Sequence, residues 1–373
     1  VIFEYLLPEG NWELVPWHRF GTQCTSLSIF AIAYDHHQAA SDILRHIPLL
    51  YNLRRLVLSG NSIVFPSSLP SALQPIPVHN TNGQYLDLFW SPGSLNSPLG
   101  FDLNPFQHIF NRVTVFTLCT YWTVSPSFLV TLLSSLWVLE DLTWHSSNQS
   151  LFDFDLIQKS VDWRFKLKEL QVDSKLLPVF LPSVLNELVS LTMRFRPFVD
   201  ESGGKVFVGE EYDPIYLPRL EELTEEGSWL GLIRTEAPKL QRLRLRGYDG
   251  KPEYLVQTKL DPTVLEIDDD ESGKAIQALF SRAPFPKLTE LRMCVAYDWA
   301  LEDDRLVRLL SSDDGRRLSS LFPRLRTLVV DVSKWRRPRT IFDDVAKTEM
   351  ATATRELSRA LSASGLPYTV AVR

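Results

Sequence analysis

The chain has few cysteines, no surplus of positive charge and no long apolar run. Cys24, Cys119 and Cys294 are too far apart for a metal-binding Cys-x-x-Cys pair or a disulfide scaffold, and so sparse a use favours an intracellular protein of the cytoplasm or nucleus. The net charge of −6 disfavours a nucleic-acid partner. No stretch reaches the roughly 18 apolar residues of a membrane span, so we expect no membrane partner either.

Glycine is scarce relative to proline, with 16 Gly against 24 Pro, which reverses the usual order. Apolar residues make up 45% and charged residues 23% of the 373 positions, as in ordinary globular proteins. At roughly 150 residues per domain, the length alone suggests two or three domains. The proline excess has to be explained by the local sequence.

A leucine pattern recurs along the chain. Residues 53–61 read Leu-x-x-Leu-x-Leu-x-x-Asn, carried by Leu53, Leu56, Leu58 and Asn61, and the alternating leucines are typical of a strand with one buried face. Leucine-rich chains can match such a frame by chance, but here it returns at intervals of 20 to 37 residues. The eleven further matches start at 27, 83, 113, 139, 167, 188, 220, 240, 262, 288 and 325. This is the signature of a leucine-rich repeat.

Proline marks the start of several of these repeats. Four share the order apolar residue, Pro, basic residue, Leu just before the predicted strand, where Pro should end the preceding helix and force an extended approach. They are Leu217 to Leu220, Ala237 to Leu240, Phe285 to Leu288 and Phe322 to Leu325. Segments with helical periodicity lie between the strands, at 37–47, 126–136, 274–282, 301–311 and 340–363, and a last strand is predicted over 368–372.

The alternation of strand, loop and helix predicts an α/β fold, a leucine-rich-repeat solenoid of about ten to twelve units. Its horseshoe would carry parallel strands on the concave face and helices and loops on the convex face, over residues 27–373. We expect residues 1–26 to be an N-terminal cap or the remnant of an upstream domain. Two insertions are expected, at 62–82 and at 195–216, the second being either a hairpin around Gly203-Gly204 or a disordered loop.

The irregular repeat lengths, the Pro-x-Leu before the strands and the scarcity of cysteine resemble the leucine-rich-repeat region of F-box proteins of the fungal type, over about residues 20–340. The resemblance implies the substrate-recognition part of a ubiquitin ligase subunit, which binds a protein substrate on its concave face. It also implies an F-box that binds the ligase adaptor. Residues 1–20 are too short for one, and the chain begins with Val1, so we expect the F-box upstream of it.

Two alternatives remain open: a stand-alone scaffold or regulator resembling GTPase activators, and an enzyme. Asp35-His36-His37 resembles the Asp-His-His motif of metal-dependent phosphoesterases, but the acidic motif that precedes it in that family is absent. A solvated turn is the alternative interpretation of this segment. The phosphate-binding loop and the serine hydrolase, zinc protease and dinucleotide motifs are also absent. We therefore expect no catalytic residue, no metal ligand and no cofactor.

The candidate binding residues lie between the inward leucines, at positions that point out of the concave face. Arginine there suits an anionic partner such as a carboxylate, or it pairs with acids on neighbouring strands. The sequence predicts a basic patch and an acidic patch at different places. The predicted partner-binding residues are Arg194, Arg242, Arg244, Arg246, Arg292, His145, Asp173 and Glu169, with Asp141, Glu222 and Glu226 among the other acids.

Overall fold

The computed structural model describes residues 2–6, 19, 23–31, 54–60, 86–92, 110–120, 126–146, 154–195, 198–199, 205–206, 214–227, 230–246, 252–269, 285–295, 322–331, 355, 359 and 369–372. The fold is α/β, and the chain divides into two compact units, Val1–Leu188 and Val189–Arg373.

The first unit contains a parallel sheet in which each strand pairs with the next one in the chain. Its strands are β1 (Ile2–Leu6), β2 (Ser26–Ala31), β3 (Arg55–Gly60), β4 (Leu86–Pro92), β5 (Val113–Thr120), β6 (Asp141–Ser146) and β7 (Glu169–Asp173). Sequential parallel strands require a crossover connection after every strand, and in the described part of this unit such connections contain helices.

The described helices of this unit follow β5, β6 and β7. They are α1 (Pro126–Ser135), α2 (Phe154–Ser160), a 3-10 helix (Ser174–Val179) and α3 (Pro182–Leu185). Helix α2 contacts both α1 and the 3-10 helix, to which Gln158 donates a hydrogen bond at the Pro178 carbonyl (3.0 Å). Trp144 on β6 packs edge-on against Phe180 with ring centroids 6.3 Å apart. The helical layer therefore covers the buried face of the sheet.

The second unit contains a parallel sheet in the order β8, β12, β14, β15, β16, β17, β18. Its strands are β8 (Ser190–Arg194), β9 (Phe198–Val199), β10 (Lys205–Val206), β11 (Ile215–Tyr216), β12 (Glu222–Glu226), β13 (Thr235–Glu236), β14 (Arg242–Arg246), β15 (Val264–Asp269), β16 (Glu290–Val295), β17 (Thr327–Asp331) and β18 (Thr369–Val372). A 3-10 helix (Leu230–Ile233) contacts α4 (Pro252–Gln257).

Two short strand pairs stand apart from the main sheet of this unit. Strands β9 and β10 pair antiparallel on either side of Gly203-Gly204, with Phe198 opposite Val206. Strands β11 and β13 pair parallel, and Leu217 donates its amide to the Glu236 carbonyl (2.8 Å) just beyond them.

The core of each unit is built from leucine positions that fall in register. In the second unit, six of these leucines are register partners and none is more than 1% exposed: Leu191, Leu223, Leu243, Leu265, Leu291 and Leu328. The corresponding register positions of the first unit include Leu27, Leu56, Phe116, Leu142 and Leu170, which are all buried. Burying each such side chain contributes about 1.5–3 kcal/mol, so these ladders are the main source of stability.

A second inward-facing position lies two residues after each leucine of the ladder. One residue at this position in the second unit is not apolar. Glu225 on β12 stands between Met193 and Leu245 and is 0% exposed. The leucine pattern at 220 supplies only Leu220 and Leu223, so the sequence carried a sign that this repeat is unusual.

The four proline motifs form tight turns rather than the extended approach expected from the sequence. In each, the Leu amide donates a hydrogen bond to the carbonyl of the apolar residue three positions earlier, over 3.0 to 3.3 Å. Proline then occupies the second position of the turn, where its fixed φ is favourable. Both apolar ends of each turn are buried: Leu217 and Leu220, Ala237 and Leu240, Phe285 and Leu288, and Phe322 and Leu325. The motif therefore anchors the chain in the core just before each strand.

A repeated hydrogen-bond pattern then sets the start of the strand. The Glu221 carbonyl accepts the amides of Gln241 and Arg242, both at 2.9 Å, and the Gln241 carbonyl accepts those of Thr263 and Val264 in the same way. The first amides of β14 and β15 thus each bond to a carbonyl that precedes the neighbouring strand. These hydrogen bonds fix the register of the two strands.

All twelve leucine matches contain a strand, and the predicted last strand corresponds to β18. Helix α1 lies within the predicted 126–136. Strand β1 was not predicted, because residues 2–6 lack the leucine pattern; the expected cap therefore contributes a strand that pairs with β2. The insertion at 62–82 and the predicted helices at 37–47, 274–282 and 301–311 lie outside the described residues, as does 340–363 apart from 355 and 359.

Gly227 ends β12 with a φ of +109°, and a Cβ placed there would lie 2.3 Å from the Phe195 carbonyl oxygen. We expect Gly227→Ala to lower the free energy of unfolding by about 1–3 kcal/mol, because the backbone conformation disfavours a side chain and the Phe195 backbone blocks it. Urea denaturation followed by circular dichroism measures this. The exposed Gln241→Ala serves as control and should stay within about 0.5 kcal/mol. Equal midpoints for the two variants would contradict the interpretation.

Candidate protein-binding faces

The face of each sheet opposite the leucine ladders is only partly covered, and it carries the candidate residues. On β14, Leu243 and Leu245 are buried, whereas Arg242 and Arg244 are half-buried and Arg246 is exposed. This is the alternation expected for a strand with one face on the core. In the second unit we call this surface the charged face, made of Arg194, Glu222, Glu226, Arg242, Arg244, Arg246, Glu266, Glu290 and Arg292.

The charges of this face alternate from one strand to the next. Arg194 on β8, Glu226 on β12 and Arg246 on β14 are register partners. The Glu226 carboxylate accepts a hydrogen bond from Arg194 Nε at 2.7 Å and forms an ion pair with Arg246 at 3.7 Å. A single carboxylate thus bridges arginines of two neighbouring strands.

The same arrangement occurs in the other rows of the face. Arg242 donates to Glu222 on β12 at 3.2 Å, and Arg244 pairs with Glu266 on β15 at 3.3 Å. Arg292 bonds to Glu290 of its own strand, and this hydrogen bond raises the pKa of the Arg292 guanidinium, so it stays charged. Within the charged face, acidic and basic residues therefore lie side by side and not in the separate patches predicted. The pairing of arginines with acids on adjacent strands, the alternative that the sequence left open, is what the structure contains.

These pairs are partly shielded from water. The side chains of Arg244 and Glu266 are 31% and 21% exposed, and those of Arg194 and Glu226 are 28% and 29% exposed. Each of these side chains therefore remains partly accessible to a partner. Because its charges already neutralise one another, the face offers oriented hydrogen-bonding groups instead of a field of one sign.

The corresponding surface of the first unit is less charged. Thr117, Thr143 and Gln171 are register partners in the middle of β5, β6 and β7, and all three are half-buried; we call them the neutral face. Glu169 lies at the start of β7 and is exposed, as predicted. His145, at the other end of β6, is half-buried. These three residues were not predicted as binding residues, because they carry no charge.

Asp173 differs from its prediction. Its side chain is 1% exposed, although the strand alternation places it on the open side. It is the last residue of β7 and precedes the 3-10 helix, whose first residue Ser174 is also buried. Asp173 is therefore too buried for direct contact with a large partner, which contradicts its prediction as a partner-binding residue.

Other candidates of the sequence analysis fall partly outside the structure. The Asp35-His36-His37 segment lies outside the described residues. Among the side chains that the structure describes, no three of His, Cys, Asp and Glu cluster in a way that would hold a metal ion. In the same part of the chain, no helix has the length and apolar character needed to cross a membrane.

Comparison with known protein families finds no family model that matches this chain, and a search of curated proteins finds no similar sequence.

The ion pairs of the charged face should be measurable as coupling between the two side chains. In a double-mutant cycle with Arg244→Gln and Glu266→Gln, we expect about 0.5–1 kcal/mol of coupling, because both groups are partly buried. The control cycle uses Lys159 and Asp155 on α2, whose side chains are 75% and 85% exposed and should couple less. Urea denaturation at low salt measures both cycles. A coupling for Arg244 and Glu266 no larger than the control would contradict the shielded ion pair.

Proposed function

We propose that this chain is a leucine-rich-repeat array that binds a protein through the open faces of its sheets. The observation that supports this most is the charged face, where half-buried arginines and glutamates are held in fixed rows by the register of the strands. Ordered polar groups over a broad, solvent-accessible surface are what a protein partner can recognise at little cost in side-chain entropy.

A protein partner fits this face better than a polyanion does. A nucleic acid or other polyanion binds mainly by releasing counterions from unpaired cations. Here Arg194, Arg242 and Arg244 are each already in contact with a glutamate, so such a partner would have to compete with the protein's own carboxylates. A protein surface carries both acidic and basic groups, and it can contact the exposed parts of the arginines and of the glutamates at the same time.

The resemblance to F-box proteins adds a biological setting to this proposal. In that setting the array is the substrate-recognition part of an F-box-like ubiquitin ligase subunit, and the bound protein is the substrate. The Pro-basic-Leu turns are part of this resemblance. They lie directly before strands that carry the charged face. No residue is assigned a catalytic role, and no cofactor or metal is required.

Reversing one charge on the charged face should weaken partner binding. Arg244→Glu places a carboxylate beside Glu266, and we expect at least about a tenfold loss in the capture of specific partners, since a mispaired charge at an interface costs on the order of 1–2 kcal/mol or more. Tagged full-length protein is purified from its own cells and the bound proteins are quantified by mass spectrometry. The matched control is Lys159→Glu on α2, which makes the same charge reversal away from both faces. Equal recovery of all partners with both variants would rule out binding through this face.

The ligase role is tested separately by the adaptor subunit. We expect the adaptor to co-purify equally with the full-length wild type and with Arg244→Glu, because an F-box binds it away from the repeats. Purification of the wild type without the adaptor, but with partners that Arg244→Glu loses, would reject the ligase role and leave a stand-alone binding scaffold.

A further inference from the structure

The four proline turns of the second unit each place a basic residue on the surface just before a strand. It is the third residue of the turn, and it is exposed in all four, whereas the first and last residues are buried. We call these residues the basic row: Arg219, Lys239, Lys287 and Arg324. The turn is stabilised by proline at its second position and by its two buried ends. Neither the turn nor the core therefore explains why the third residue is basic.

The register of the strands keeps the basic row in line. Each member lies three residues before a set of register partners, on β12, β14, β16 and β17. Strand β15 stands between β14 and β16, and its residue at the same position is Asp261. Neighbouring strands are about 4.8 Å apart, so the row is about 19 Å long and has Asp261 at its centre.

Acidic residues compensate only part of this row. Asp261 accepts a hydrogen bond from the Lys287 amide at 3.2 Å and forms an ion pair with the Lys287 ammonium group at 3.1 Å. These contacts also show directly that the turn residues of neighbouring repeats lie side by side. Glu221 is a second exposed acid, two residues after Arg219. The centre of the row is therefore neutral.

The rest of the row keeps its positive charge. Within the described part of the chain, no carboxylate forms an ion pair with Lys239, Arg324 or Arg326, and all three residues are exposed. Arg326 lies two residues beyond Arg324 and adds to the charge at that end. The edge at which these strands begin is thus positive on both sides of Asp261, in a chain whose net charge is −6.

The order of charges along the row distinguishes between anionic partners. Every nucleotide of a nucleic acid carries a phosphate, so a strand lying along the row would bring a phosphate close to Asp261. A peptide can place acids beside the cations and a neutral or basic residue beside Asp261. An extended peptide advances about 3.3 Å per residue, so about six residues span the row. The row therefore suits a short acidic peptide better than a nucleic acid.

We propose that the basic row binds an extended acidic segment of a partner protein. In this segment two acidic residues lie against Arg219 and Lys239, and two more lie against Lys287 and Arg324. Between them, a neutral and a basic residue face Asp261. This is a second binding surface, and the inference does not depend on the binding proposed for the charged face.

The probe is a fluorescent peptide with blocked ends, Glu-Glu-Gly-Lys-Glu-Glu, and its binding to the full chain is measured by anisotropy at low salt. We expect it to bind at least as tightly as hexaglutamate, although it carries less negative charge, because the central glutamates of hexaglutamate face Asp261. Asp261→Asn should therefore tighten the binding of hexaglutamate, by about threefold, and change that of the probe less. Raising the salt to about 0.3 M should weaken binding of the probe, since exposed charges are screened.

Two charge reversals test the row itself. Lys239→Glu and Arg324→Glu should each weaken binding of the probe by at least about fivefold, because an attraction becomes a repulsion. The matched control is Lys159→Glu on α2, the same reversal at an exposed lysine elsewhere, which should change binding by less than about twofold. Both substitutions in the row replace exposed side chains, and circular dichroism confirms that the variants are folded.

The proposal is overturned if the wild type does not bind the probe, or if Lys239→Glu and Arg324→Glu bind it as well as the wild type does. Binding that is lost with Arg244→Glu but kept with both row variants would place the peptide on the charged face and reject the basic row. Tighter binding of single-stranded oligothymidylate, or of phosphatidylserine vesicles, than of the probe would assign the row to another class of partner and would also overturn the proposal. None of these outcomes decides whether the charged face captures a protein, which the Arg244→Glu purification tests.

Discussion

The structure depends on one constraint: the inward side chains of each parallel strand must lie level with those of the next strand. In the second unit, Leu223 sits between Leu191 and Leu243, and the same alignment continues from β8 to β17. A slip of one residue would exchange every inward side chain for an outward one and bury arginine in place of leucine. The free energy of burying the leucines therefore enforces a single register.

The proline turns and the shared carbonyls make this register easy to reach. Each turn buries an apolar residue and a leucine before the strand begins. The first residue of the strand therefore has a fixed position relative to the core. The carbonyl of Glu221 or Gln241 then receives two amides from the following repeat. Local turn chemistry and the long-range core thus favour the same alignment, as is typical of sequences that specify one fold.

The functional surfaces are consequences of the same constraint. Once the leucines are level, the outward residues form rows as well, and Glu226 necessarily meets Arg194 and Arg246. Such partly exposed pairs contribute about 0–1 kcal/mol each, far less than the leucine ladders, so they mainly shape the surface. The outward residues of such strands can therefore vary, and with them the surface, without disturbing the core.

The sequence by itself determined where the strands lie, because the alternating leucines and the proline turns are local signals that fit within one repeat. It also indicated which side of each strand faces the core. Only the tertiary structure decided which outward residues become neighbours, since strands 20 or more residues apart meet there. Strand β1, the burial of Asp173, the inward Glu225 and the pairing of four arginines with glutamates of other strands all depend on such neighbours. The alternation of apolar and polar residues is present within a single strand. The contacts between strands form only when the strands pair in register.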